Sequence, residues 1–100
     1  MNRLTITIPN KDNEGNSLFQ LHQHAREFMV KTYGGFSSVQ VHGQWQDPED
    51  LKIYVDNSTR YEVLVDDSIE SLYPLAMQVK SEGKQKCVLL TSEETVIQCQ

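Results

Sequence analysis

A chain of 100 residues with 38% hydrophobic content is long enough for one domain with a buried core and too short for two. Its nine basic and fourteen acidic side chains give a net charge of −5, which repels a nucleic-acid backbone, so we expect no DNA or RNA partner. No apolar run approaches the ~20 residues of a membrane span, and the N-terminus enters a strand pattern rather than a signal peptide, so we expect a cytoplasmic protein without a membrane partner.

The first predicted elements are a strand and a helix. Apolar residues at every second position near the N-terminus predict a strand with one face on a core, namely Leu4, Ile6 and Ile8. Pro9 ends this strand because it has no N–H to donate. After a polar loop over residues 10–16, Ser17 and Gln20 have capping-box spacing, and apolar residues at helical intervals predict a helix over residues 18–33.

Two glycines follow this helix. Gly34 and Gly35 tolerate the left-handed backbone that closes a helix, so at least one of them is predicted to have a positive φ. The alternative is a backbone cradle for an anion. Because the pair follows a helix C-terminus, where the helix dipole is negative, we favour the structural turn.

A long hairpin over residues 36–66 follows the glycines. Alternation places Val39, Val41, Gly43 and Trp45 on one face, which we predict to pack against the helices. The other face then carries Gln40, His42 and Gln44. Residues 47–50 have turn chemistry, and residues 56–59 are predicted to form a second break or a bulge.

The last predicted elements are a second helix and a short hairpin. Ser71 as N-cap would put Pro74 in the first turn, where its missing N–H costs nothing, and Gly83 would close the helix. Two β-rich runs over residues 87–91 and 95–99 flank a turn, with Thr91 opposite Thr95. Cys87 would then face Cys99, and we expect both thiols to stay reduced as packing residues in a cytosolic compartment.

The order of these elements predicts a single α+β domain over residues 1–100. The pattern β-α-β-β-α-β indicates a ferredoxin-like antiparallel sheet with two helices on one face and a C-terminal strand extension. The opposite sheet face would be open, which favours a homo-oligomer such as a dimer. The candidates for this open face are Thr5, Thr7, Gln40, His42, Gln44, Glu62 and Leu64.

Three short motifs carry a resemblance to a known group of proteins: Tyr33-Gly34-Gly35-Phe36, Gly43-Gln44-Trp45 and Cys87-Val88-Leu89-Leu90. With these motifs the chain resembles a family of small uncharacterised bacterial and phage proteins over most of residues 4–91. The resemblance implies a ferredoxin-like domain. It implies no catalytic residues.

The sequence contains no familiar cofactor or metal motif. His22 and His24 are two positions apart on a helix and point about 200° away from each other, so they do not share a metal. Phosphate-binding glycine loops and nucleophile elbows are missing as well. An RNA-recognition domain is excluded because Thr5 and Thr7 stand where its first strand would carry base-stacking aromatics. We therefore expect no metal and no cofactor.

Two classes of function remain. The first is a non-catalytic homo-oligomeric module that binds a protein or a small regulator, and the missing enzyme chemistry favours it. The alternative is a cofactor-free enzyme of the small dimeric α+β type, with a pocket near His42 and Trp45 and with His42 or Tyr33 as proton-transfer group. Gln40 and Gln44 complete this candidate pocket or interface.

Overall fold

The structure is a computed structural model that describes residues 1–85, 88–92 and 96–97, with the side chains of Trp45, Val96 and Ile97 outside the description. Its elements follow one another in chain order. They are β1 (Asn2–Pro9), α1 (Phe19–Tyr33), β2 (Ser37–Gln46), β3 (Ile53–Val65), a 3₁₀ turn (Ile69–Leu72), α2 (Tyr73–Glu82), β4 (Leu89–Thr91) and β5 (Val96–Ile97).

The strands form one antiparallel sheet in the order β2-β3-β1-β4-β5. Both helices contribute to a single core on this sheet, so the predicted α+β architecture of an antiparallel sheet with two helices is confirmed. Among the described residues, no helix is long and apolar enough to cross a membrane.

The core contains the apolar positions that the periodicity predicts. All three alternating residues of β1 are fully buried, and so is the predicted stripe of the second helix, which comprises Leu72 of the 3₁₀ turn and Leu75, Ala76 and Val79 of α2. Each large aliphatic side chain buried in this way contributes roughly 1.5–3 kcal/mol to folding. From α1 the core receives Leu21, Ala25 and Met29.

The two faces of β2 are the reverse of the prediction. Ser38 pairs with Tyr61 and Gln40 with Thr59, and Tyr61 belongs to the core beneath the helices. Because side chains alternate along a strand, Gln40, His42 and Gln44 lie on the helix side and not on the open face. Val39 and Val41 lie on the open side, and Val39 is 44% exposed. The open-face assignment is correct for Thr5, Thr7, Glu62 and Leu64, which alternate with core residues of β1 and β3.

The central hairpin covers the predicted range and is more regular than predicted. β3 runs for 13 residues, and residues 56–59 pair with β2 without interruption, so the predicted break there is wrong. In the last hairpin Thr91 pairs with Val96 instead of Thr95. Cys87 and Cys99 lie outside the described residues.

The glycine after α1 forms the predicted cap. Gly34 has φ +88° and donates its N–H to the carbonyl of Val30 at 2.8 Å. Gly35 has no positive φ. A left-handed residue at this position lets the chain reverse from α1 into β2 without the steric cost that a side chain would add.

The starts of both helices differ from the predicted caps. α1 begins one residue late, with Leu18 as N-cap, and the Ser17 hydroxyl accepts the N–H of Phe19 at 3.2 Å instead of closing a capping box. Ser71 lies inside the 3₁₀ turn that leads into α2. Pro74 does lie in the first turn of α2, and Gly83 ends it.

Candidate functional site

A cavity of about 300 Å³ lies between α1 and the β2–β3 side of the sheet. Its lining comes from α1, from the segment leading into it, and from two strands that are distant from both in sequence. The lining residues are Phe19, His22 and Arg26 of α1, Ser38 and Gln40 of β2, Thr59 and Tyr61 of β3, and Asn10 and Ser17 from the segment leading into α1.

His22 is the buried titratable group of this cavity, with 7% of its side chain exposed. Its Nε2 lies 2.8 Å from the carbonyl oxygen of Pro9, which only accepts, so Nε2 carries the proton. In the neutral imidazole Nδ1 is then the acceptor. It lies 2.6 Å from the hydroxyl of Tyr61, which donates to it. The carbonyl at the end of β1 therefore fixes the tautomer of His22.

The hydroxyl of Tyr61 is hydrogen-bonded to both His22 and Arg26. Its ring is fully buried and packs edge-on against Phe36, with 5.6 Å between the ring centroids. Nη1 of Arg26 donates to the Tyr61 hydroxyl oxygen at 3.5 Å. The three hydrogen bonds therefore form a chain in which Arg26 donates to Tyr61, Tyr61 donates to His22, and His22 donates to the backbone carbonyl of Pro9.

The surroundings of His22 and Tyr61 favour the neutral form of both side chains. Burial lowers the pKa of His22, the contact with the Pro9 carbonyl opposes the shift, and the positive charge of Arg26 adds to it. Burial also raises the pKa of Tyr61, against the opposing effect of Arg26. At neutral pH the site therefore contains a neutral imidazole, a neutral phenol and one permanent cation.

The opposite wall is a closed ring of neutral hydrogen bonds. The side-chain amide of Asn10 donates to Oε1 of Gln40 at 3.2 Å, the amide of Gln40 donates to the Thr59 hydroxyl at 3.1 Å, and that hydroxyl donates to Oδ1 of Asn10 at 2.8 Å. This ring joins the loop after β1 to β2 and β3. It gives the cavity fixed amide and hydroxyl groups without adding charge.

The other predicted site residues lie elsewhere, and only Gln40 lines the cavity. His42 is exposed, with Nδ1 2.9 Å from the side-chain oxygen of Asn57, and Gln44 is exposed as well. Tyr33 lies at the far end of α1, where its hydroxyl is 2.5 Å from that of Ser71 and burial raises its pKa. Gly34 and Gly35 line a separate hollow beside Tyr33. The side chain of Trp45 is outside the description.

His22 is the functional candidate that the sequence analysis missed, because it was weighed only as a metal ligand, whereas His42 was also considered for proton transfer. The signal was its spacing. His22 occupies the same helical stripe as Leu18, Ala25 and Met29, all of which are buried, and a polar residue within such a stripe requires buried partners.

A larger cavity of about 640 Å³ lies beside the loop after β1. Its carboxylate, Asp12, is already hydrogen-bonded within that loop. The carboxylate of Asp12 accepts the backbone N–H groups of Glu14 and Asn16, each at 2.9 Å, and the bond from Asn16 is the main cause that lowers its pKa. Within the described ranges, no three His, Cys, Asp or Glu side chains are grouped to hold a metal ion.

Comparison with known proteins identifies the fold. No family model and no curated protein matches the sequence. A solved structure of a phage SAM lyase in complex with S-methyl-5'-thioadenosine matches with a TM-score of 0.65 and 16% identity, over 97% of this chain and 83% of that one. The apo state of a phage SAM lyase matches with a TM-score of 0.63 and 13% identity, over 95% of this chain and 82% of that one.

This likeness corrects the first prediction of function. A non-catalytic binding module was expected because no familiar enzyme motif is present, whereas both solved structures reported above are those of an enzyme, a phage SAM lyase. The enzyme alternative is therefore the better supported of the two. The cavity that supports it surrounds His22 and Tyr61, and not His42.

Proposed function

We propose that this protein is a lyase that cleaves SAM (S-adenosylmethionine) and releases S-methyl-5'-thioadenosine. The likeness in fold to a phage SAM lyase, which extends over nearly the whole chain, is the observation that carries the proposal. The cavity beneath α1 is the place for the chemistry in this proposal, since it combines a buried proton-accepting group with a permanent cation.

The reaction needs no external oxidant, reductant or metal. SAM carries a sulfonium centre, and cleavage of the carbon–sulfur bond to its amino-acid part leaves the electron pair on sulfur. The leaving group is then a neutral thioether, S-methyl-5'-thioadenosine. The four-carbon fragment completes the reaction in one of two ways. It loses a proton from the carbon adjacent to the one that carried sulfur, and a carbon–carbon double bond forms, or its own carboxylate bonds to the carbon that carried sulfur and closes a lactone ring.

The cavity is large enough to enclose one end of a SAM molecule. Its volume is at the lower end of the ~300–1,000 Å³ range typical of ligand pockets, so it encloses part of a molecule the size of SAM and leaves the rest at the surface. Phe19 is 60% exposed at the cavity and offers an aromatic face to a base. The net charge of −5 attracts a sulfonium cation over longer distances.

Within this proposal, His22 and Tyr61 form the proton-transfer pair. The neutral Nδ1 of His22 accepts the proton of Tyr61 at 2.6 Å, and the positive charge of Arg26 stabilises the phenolate that develops. Tyr61 is therefore the group that takes a proton from the substrate when elimination is the route. General-base catalysis of this kind contributes about 10²- to 10⁴-fold to a rate.

The test is release of S-methyl-5'-thioadenosine from SAM by the purified protein, followed by chromatography and mass spectrometry. We expect product with the wild type and about 10²- to 10⁴-fold less with Tyr61→Phe. Heat-denatured protein controls for the spontaneous breakdown of SAM. No release above this control would contradict the lyase proposal. Equal rates for wild type and variant would leave the lyase function standing and show that Tyr61 moves no proton.

We also propose that the domain is ferredoxin-like and self-associates. The order β2-β3-β1-β4 within the sheet supports the first point. Exposed apolar side chains on the sheet face away from the helices support the second, among them Val39 and Leu64, the latter 55% exposed. Light scattering at micromolar concentration should give a multiple of 11.5 kDa, and a strict monomer would contradict self-association.

A further inference from the structure

We propose that the cavity beneath α1 binds a carboxylate, and that Arg26 is its ion-pair partner. The ligand class is an amino acid joined to a nucleoside through sulfur. This choice of ligand rests on the proposed function, whereas the carboxylate site itself rests on the geometry and charge of the cavity.

The hydrogen-bonding capacity of Arg26 is largely unused. A guanidinium group has five N–H donors, and the structure gives Arg26 one side-chain hydrogen bond, of 3.5 Å, to Tyr61. The ion pairs of the N-terminus with Asp66 and of Arg60 with Glu62 do not involve Arg26, and among the described residues no carboxylate is found in an ion pair with it. A half-buried cation with free donors favours an anionic partner from outside the chain.

The surroundings of Arg26 strengthen this preference. The cavity lining contains no acidic side chain, although the protein as a whole has a net charge of −5. His22 is neutral at pH 7 for the reasons given above, and Ser38, Gln40 and Asn10 add neutral polar groups. Arg26 is therefore the one charged group of the lining. Partial burial screens its interaction with a bound carboxylate less than water would.

The planar guanidinium also provides selectivity. It matches a carboxylate through two parallel N–H···O bonds, a geometry that a neutral thioether or a ribose hydroxyl does not offer. S-adenosylhomocysteine carries the carboxylate and no sulfonium, so it does not undergo the proposed cleavage. S-methyl-5'-thioadenosine has the same nucleoside and no carboxylate. These two compounds separate recognition of the carboxylate from recognition of the nucleoside.

The experiment is isothermal titration calorimetry of both compounds against the wild type, Arg26→Gln and Lys31→Gln. Lys31→Gln is the matched control, because it removes one positive charge from an exposed position of the same helix. Circular dichroism checks that each variant is folded. We expect Arg26→Gln to weaken S-adenosylhomocysteine about 10- to 100-fold, the range of a charged hydrogen-bonded contact, and to leave S-methyl-5'-thioadenosine unchanged. Lys31→Gln should change neither affinity by more than about twofold.

Three results would overturn the carboxylate site: no binding of S-adenosylhomocysteine to the wild type, equal weakening of both compounds by Arg26→Gln, or no weakening of either. The outcome is separable from that of the proposed function. Selective binding that depends on Arg26 without cleavage of SAM would support the carboxylate site and contradict the lyase. Cleavage of SAM by Arg26→Gln with wild-type affinities would support the lyase and contradict the carboxylate site.

Discussion

Replacement of Tyr61 by alanine should lower the free energy of unfolding by roughly 3–5 kcal/mol, as measured by urea denaturation. Its ring is 1% exposed and is among the largest fully buried side chains of the core. Truncation removes the contact with Phe36, leaves a cavity under α1 and deprives Nδ1 of His22 of its hydrogen-bond donor. The expected loss in the free energy of unfolding therefore has two parts: the removal of a large core side chain and the loss of a buried hydrogen bond.

Tyr61→Phe separates the two parts of this effect. It keeps the ring and removes the hydroxyl, so its cost should be the roughly 1–3 kcal/mol of an unsatisfied buried acceptor. A loss of under about 1 kcal/mol for Tyr61→Ala would show that the ring is not packed in the core. Equal losses for the two variants would assign the whole effect to the hydroxyl.

The elements with the simplest environments were predictable from the sequence. β1 lies between β3 and β4, beneath both helices, so one of its faces is buried along its whole length. The alternation of apolar and polar residues in the sequence therefore predicts that face correctly. The stripe of α2 was predictable for the same reason. Gly34 was also predictable, because closure of a helix within two residues requires a left-handed backbone that glycine adopts at low cost.

The faces of β2 were not predictable from alternation alone. β2 is an edge strand, and the helices do not cover Val39 and Val41 on it. Val39 therefore lies on the open face, while polar Gln40 lies toward α1 and lines the cavity. The alternation of residue types along β2 shows that the two faces of the strand differ in polarity. Which of them faces the helices depends on the register with β3, and that register is a tertiary property.

The candidate site depends on the same long-range pairing. His22 and Tyr61 are 39 positions apart, and no local motif brings them together. The position of Tyr61 opposite His22 follows from the pairing of β3 with β1, and the tautomer of His22 follows from the carbonyl of Pro9. Sequence reasoning identified Gln40 as a site residue, but it placed the centre at His42, which lies further along β2 and is exposed.

Replacement of His22 by alanine should be the second large loss of stability. It leaves the hydroxyl of Tyr61 and the carbonyl of Pro9 without their buried partner, and each unsatisfied group costs roughly 1–3 kcal/mol. The matched control is His24→Ala, two positions along the same helix. The side chain of His24 is exposed and bonded to Gln78, so its removal should cost under about 1 kcal/mol.

The pH dependence of stability gives His22 a signature of its own. Its pKa in the folded protein is lowered, mainly by burial, below the ~6.5 of a histidine in the unfolded chain. Above that value both states hold a neutral imidazole and the full stability is present. As the pH falls below it, the unfolded chain binds a proton that the folded protein does not, so the free energy of unfolding decreases.

Urea titrations of the wild type and His22→Ala at intervals between pH 8 and pH 5 measure this contribution. This range lies above the titration of ordinary carboxyl groups, so the lowered pKa values of Asp12 and Glu70 do not add to the slope. The wild type should lose stability on going below about pH 6.5, and His22→Ala should lose less over the same interval. Equal slopes for the two proteins would mean that His22 accepts a proton as readily in the folded state as in the unfolded chain, and the neutral His22–Tyr61 pair would then be wrong.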